Sequence, residues 1–128
     1  MSSVPLLLHM ARNGWLVVSI NYRLAPRAKF PAQLLDCKRA LAWVKRNIHM
    51  FGGDANFIIA AGESAGGHLA ALVGLTAHDK SLQPGFEDQE LNVQGALRCG
   101  GGGGGGVCVA CVACVACGVW MALFGRCG

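Results

Sequence analysis

Over its first hundred positions the chain alternates short, continuous apolar runs with stretches where apolar side chains return every three or four residues. Leu6, Leu7, Leu8, Met10 and Ala11 lead into Asn13 and Gly14. That pattern predicts the last turns of a helix, stopped where Gly accepts a left-handed backbone, so the chain is expected to begin mid-unit. Trp15 to Ile20 is nearly all apolar and rich in branched residues, which predicts a central strand buried on both faces of a parallel sheet. Asn21 to Pro31 holds two prolines and three basic residues and reads as a loop, with Pro31 suited to the first turn of the helix that follows. From Leu34, the residues Cys37, Leu41, Val44 and Ile48 mark one apolar helix face, while Lys38, Arg39, Lys45 and Arg46 are assigned to the wet side. Gly52, Gly53 and Asp54 predict a turn, Phe57 to Ala61 a second buried strand, and Ala65 to Ala77 a helix. Leu91 to Leu97 begins a third strand that Arg98 and seven consecutive glycines are expected to cut off.

Helix, strand, helix, strand, helix is an α/β pattern. Right-handed crossovers of this kind build a parallel sheet with helices on both faces, and two or three strands leave its core incomplete. The 128 residues allow one small domain, and 53% hydrophobic residues exclude a disordered chain. Eleven Lys plus Arg against seven Asp plus Glu give a net charge of +4 with no basic run longer than two, so nucleic acid is not an expected partner. The first ten residues carry no charged leader, and Val4 to Leu8 is too short for a signal core or a membrane span. Cys37 is alone among the first 98 residues, which gives no disulfide framework. It is expected to be a small buried side chain in a cytosolic protein.

One segment carries chemistry. Gly62, Glu63, Ser64, Ala65 and Gly66 fit GxSxG between a predicted strand and a predicted helix. In that setting the serine occupies a sharp strand-to-helix turn that lifts its hydroxyl above the sheet edge, and the flanking glycines admit the neighbouring chain. Gly66 and Gly67 in the first helical turn suggest close packing, since each costs about 0.8–1 kcal/mol relative to Ala in an ordinary helix. The Ala65 N–H, at the positive end of the helix, is placed to bind a developing oxyanion. The plainer alternative is a helix cap, with the Ser64 hydroxyl accepting a backbone N–H bond.

Further blocks accompany this motif: Asn21 to Pro26, Phe30 and Pro31, Asp36 through Val44, and Gly52 to Asp54. Together with Gly62 to Gly67 they resemble, in order and spacing, the hormone-sensitive-lipase-like and arylacetamide-deacetylase-like serine esterases of the α/β-hydrolase fold. The resemblance covers roughly Leu7 to Leu97. It implies a carboxylic-ester hydrolase acting on a small-molecule ester, of short or medium acyl chains in the complete family member, with Ser64 as nucleophile, Ala65 as backbone oxyanion donor, and no metal or organic cofactor. That family also uses an HGGG-type segment before the serine and an Asp or Glu followed by a His after it. None of these is identifiable here. The glycine segment would precede Met1, and the acid and base would lie beyond Leu97.

The histidines at hand do not replace the missing base. His68 shares a helix face with Ser64, but helical side chains lean toward the N-terminus and do not readily reach the elbow hydroxyl. His9, His49 and His78 fall near predicted helix ends, where a dipole interaction accounts for them. Asp36, Asp54, Asp79 and Asp88 read as turn, cap or surface carboxylates.

Residues 99–128 are of another kind: Gly100 to Gly106 is unbroken glycine, and Val107 to Cys117 repeats Val-Ala-Cys. A metal or iron–sulfur site from Cys108, Cys111, Cys114 and Cys117 is geometrically awkward, because steps of three turn each Cys by about 60° on a helix and alternate faces on a strand. A membrane span over Val107 to Phe124 would be weak, with small Ala and Cys side chains near the lower length limit. A disulfide-linked tail would need an oxidising compartment. The leading reading is a low-complexity tail that is not an evolved structural element. The sequence thus predicts a partial α/β-hydrolase domain over 1–98 followed by a tail over 99–128. Its alternative function is that of a truncated, noncatalytic product, a binding or tail-anchored fragment.

Overall fold

The computed structural model describes residues 4–63, 65–99 and 120–127. Helix α1 (Val4–Arg12) ends at Asn13, whose side-chain amide donates to the His9 carbonyl at 2.8 Å, and the chain reverses through Gly14 at φ +84°. Strand β1 (Trp15–Ile20) follows, then a loop, helix α2 (Ala32–Asn47) and a 3₁₀ turn over Ile48–Phe51. Strand β2 (Gly53–Glu63) and helix α3 (Ala65–Leu75) are separated by Ser64 alone. A looped segment with a 3₁₀ turn at Lys80–Leu82 leads to β3 (Gly95–Cys99), and β4 is Trp120–Cys127.

The sheet order is β1-β4-β2-β3. β2 and β3 are parallel, with Ile59 opposite Gly95 and Glu63 opposite Cys99. β4 runs antiparallel to both β1 and β2, so β1 shares the direction of β2 and β3. The α/β-hydrolase-type arrangement expected from the sequence is present, a parallel set of strands with flanking helices, and one strand from the carboxyl-terminal segment lies within it. Helix α3 packs on β2 and β3, α2 lies beside α3, and α1 packs on β1.

The core lies between the two longer helices and one face of the sheet. Leu34, Cys37, Leu41, Val44 and Ile48 are all buried, as the periodicity of α2 predicts, and meet Ile58, Ala60, Leu69, Ala70 and Val73. Three expectations need correcting. The third strand begins at Gly95, not Leu91, and continues through Arg98 to Cys99 in its pairing with β2. β1 lies at an edge of the described sheet and is not deeply buried: Leu16, Val17 and Val18 are half-buried, Ser19 is exposed, and Ile20 alone of the strand is buried. Lys38 is not on the wet side of α2. It has no exposed surface, and its ammonium donates to the Thr76 carbonyl at 2.5 Å and the Asp79 carbonyl at 3.2 Å, beyond the end of α3. Four residues after Leu34 and three before Leu41, it stands at a core position of the helix.

The segment between α3 and β3 is held by polar side chains that bond to backbone. Buried Gln83 donates to the carbonyls of Phe86 (3.1 Å) and Gln89 (3.0 Å), and Lys80 donates to Gln89 at 2.7 Å. These bonds fix the segment that buries Phe86 and Leu91. Gln94 then bonds Ile58 twice, its N–H donating to the Ile58 carbonyl at 2.8 Å and its side-chain oxygen accepting from the Ile58 N–H at 2.6 Å, which sets the register in which β3 joins β2. Among the described residues no helix is long and apolar enough to cross a membrane. The Cys108 to Cys117 ligand reading lies outside the described residues, and so does the membrane-span reading except at Trp120 to Phe124, which belong to β4.

Two substitutions test this packing. Lys38→Met keeps the aliphatic stem but removes the ammonium's bonds, leaving the Thr76 and Asp79 carbonyls with their backbone bonds from the Asp79 and Leu82 N–H groups alone, and is expected to cost about 1–3 kcal/mol in urea unfolding. Gly53→Ala would set a Cβ 2.5 Å from Ile48 Cγ1 and 2.6 Å from Leu16 Cδ1. Overpacking of that kind should cost about 1–3 kcal/mol in the same assay.

Candidate active site

The GxSxG residues fall at the junction of β2 with α3, the most apolar helix among the described residues. β2 stays paired to its end: Gly62 faces Arg98 on one side and Met121 on the other, and Glu63 faces Cys99 and Trp120. Ala60, Ala61 and Gly62 are buried, and α3 begins at Ala65 with Gly66 and Gly67 buried in its first turn. Ser64 itself lies outside the described residues. The burial of Gly66 and Gly67 agrees with the close packing that their helix cost suggests. Further along, a Cβ on Gly74 would come within 3.3 Å of Ala96 Cβ, so α3 is seated closely on β3 as well. As the first residue of the helix, Ala65 has an N–H that no intrahelical carbonyl satisfies, at the positive end of the helix dipole.

Beside this junction is a cleft of about 620 Å³, lined by Leu24, Ala28 and Phe30 of the loop after β1 and by Ala65, His68 and Leu69 of α3. The loop is clamped to α2 by Arg23 and Asp36. The Asp36 carboxylate accepts from the Arg23 backbone N–H and from the guanidinium at Nε and Nη2, each at 2.9 Å. This pair was missed from sequence, where Asp36 reads as a turn, cap or surface carboxylate; thirteen positions apart, the two residues leave no local signal. Asp54 and Asp79 do act as turn and cap groups, accepting from Asn56 N at 2.8 Å and Ser81 N at 3.0 Å.

Electrostatics separate structural from reactive groups. The guanidinium bonded to it holds the Asp36 carboxyl below its ordinary value, although partial burial pushes the other way. Burial pushes the Cys37 thiol up to about 12, so at neutral pH it is a buried thiol, as expected from sequence, and not a thiolate nucleophile. His9, His49, His68 and His78 are exposed, and among the described residues none forms an ion pair with a carboxylate. Nor do three or more His, Cys, Asp or Glu of the described residues gather where they could hold a metal ion. Of the predicted site, the structure brings together the flanking residues of the elbow and adds an apolar cleft beside them.

A strand running straight into a close-seated helix, within a parallel sheet flanked by helices, defines a fragment of the α/β-hydrolase class. The chain belongs to the BD-FAE family, whose model matches residues 2–97. It is 52% identical over 93 residues to the probable carboxylic ester hydrolase LipM of Mycobacterium tuberculosis, covering 73% of this chain and 22% of that protein. It is similarly 53% identical over 92 residues to esterase LipQ of that organism, with 72% and 22% covered, and 54% identical over 74 residues to esterase LipC, with 58% and 18% covered. The resemblance to hormone-sensitive-lipase-like α/β hydrolases therefore stands, and the chain spans about a fifth of the length of these curated relatives. No solved structure matches it.

The clamp makes a pH-dependent prediction. Because the folded-state pKa of Asp36 is lowered, its contribution is present above the unfolded value of about 3.9 and lost as pH falls through the folded value. Asp36→Asn should thus lower stability at pH 7 and flatten the loss of stability below about pH 4. Urea unfolding at pH 3 and pH 7 reads both, and an unchanged acid limb would contradict the assignment.

Proposed function

We propose that the chain is the nucleophile-bearing part of a carboxylic-ester hydrolase that works through an acyl-enzyme on Ser64. The observation that carries this reading is the passage from β2 to α3 across one residue, at the serine of Gly62-Glu63-Ser64-Ala65-Gly66. The names of the similar mycobacterial proteins support it. In the proposed reaction the Ser64 hydroxyl oxygen bonds to the ester carbonyl carbon as its proton passes to a base, and the Ala65 N–H donates to the oxyanion that forms. Collapse of the tetrahedral species breaks the bond to the alcohol oxygen, which takes the proton. Water then adds to the acyl-enzyme and releases the acid. The base and its acid partner belong, on this reading, to parts of a longer protein. Gly62, Glu63, Gly66 and Gly67 form the elbow, with the two helical glycines allowing α3 to start close to the sheet.

A second reading, a chain that does not turn over, is favoured by the exposed histidines without carboxylate partners among the described residues. Removing triad members from serine hydrolases leaves only residual catalysis. A fluorophosphonate and a chromogenic short-chain ester separate the two. For the hydrolase, covalent labelling and turnover both fall to background in Ser64→Ala. Neither signal from a folded sample of the 128-residue chain would contradict activity in this chain and leave the second reading.

A further inference from the structure

The cleft beside Ala65 has a wall that the chemistry above does not use. Leu24 and Phe30 are 43% and 64% exposed, large apolar groups left in water where the loop after β1 faces the first turns of α3. At about 620 Å³ the cleft is within the size range of small-molecule sites, and its lining is mostly apolar. The loop holds a backbone bond from the Ala28 N–H to the Leu24 carbonyl at 3.0 Å and is tethered from α2: Asp36 grips Arg23 with three bonds of 2.9 Å, and the Gln33 side-chain amide donates to the Ala28 carbonyl at 2.9 Å. Both tethers hold residues at the ends of the stretch that carries Leu24, Ala25 and Ala28.

We propose that this cleft seats the aliphatic half of the ester, and that Arg23 and Asp36 are positioning residues that hold its loop wall against α3. The occupant follows from place and lining. Ala65, next in the chain after Ser64, lines the same cleft, so a carbonyl group at the serine would direct one of its two substituents toward Leu24, Phe30 and Leu69. This inference rests on the hydrolase reading for its choice of ligand, and the test keeps the two apart.

The full 128-residue chain is titrated with butanoate, hexanoate, octanoate and 1-octanol, followed by NMR at the methyl and ring signals of Leu24, Leu69 and Phe30. Affinity should rise by up to about fourfold per added methylene, with tighter octanoate assigning the cleft to the acyl half and tighter 1-octanol to the alcohol half. Phe30→Ala should weaken octanoate roughly tenfold; Phe30 is exposed, so its loss does not threaten the fold. Asp36→Asn should flatten the dependence on chain length and Asp36→Glu restore part of it. Asp54→Asn, which removes a carboxylate whose bond is to Asn56 in a different turn, should leave it intact. Equal affinity for all chain lengths in the unmodified protein overturns the cleft assignment, and an undiminished slope in Asp36→Asn overturns the positioning role. Fluorophosphonate labelling without chain-length-dependent binding defeats this inference alone, whereas chain-length-dependent binding without labelling defeats activity in this chain and leaves the cleft.

Discussion

Close seating of α3 on the sheet is the constraint from which the rest follows. Ala60, Ala61 and Gly62 at the end of β2, Gly66, Gly67 and Ala70 in α3, and Gly74 against Ala96 place small residues wherever helix and sheet meet. Larger side chains would hold the helix away, since the distance between packed elements is set by the groups at the contact. The arrangement has a cost, because each glycine inside a helix is worth about 1 kcal/mol less than alanine. Burial of an almost wholly apolar helix, through Leu69, Ala70 and Val73, offsets it. With strand and helix so close, the first N–H of the helix is held near the end of β2.

The surroundings are held by side chains reaching across to backbone. Lys38 bonds carbonyls past the end of α3, Gln83 folds the segment before β3 onto itself, and Gln94 sets the register of β3 against Ile58. Arg23 and Asp36 do the same for the loop that faces α3. Polar groups with satisfied bonds hold irregular segments more definitely than apolar contact alone, since a buried group left unpaired costs about 1–3 kcal/mol. Segments without regular structure are thereby fixed in place, and one of them, the loop after β1, faces the start of α3.

How far this was legible in the sequence depended on the range of the signal. Trp15 to Ile20 and the apolar face of α2 could be read from period alone, and the GxSxG junction from a motif in its context. The depth of β1 could not, because a continuous apolar run looks the same in a central strand and an edge strand; here Leu16, Val17 and Val18 are half-buried and Ser19 is exposed. Lys38 was readable in principle from its position on the α2 wheel, but its charge outweighed its place. Arg23 with Asp36 and Gln94 with Ile58 depend on residues brought together only by the fold. β4 was masked by the low-complexity composition around it, although Trp120 to Phe124 is rich in residues suited to a strand.

The most direct test of the central claim is a crystal structure of the chain, joined to the segments that supply the base and its acid, after reaction with an aryl phosphonate. The account predicts phosphorus bonded to Ser64 Oγ, with a phosphonyl oxygen within about 3 Å of the Ala65 nitrogen and the organic group beside Leu24 and Phe30. A Ser64 hydroxyl free of adduct, turned back to bond the N–H groups of α3 as an ordinary helix cap, would contradict it.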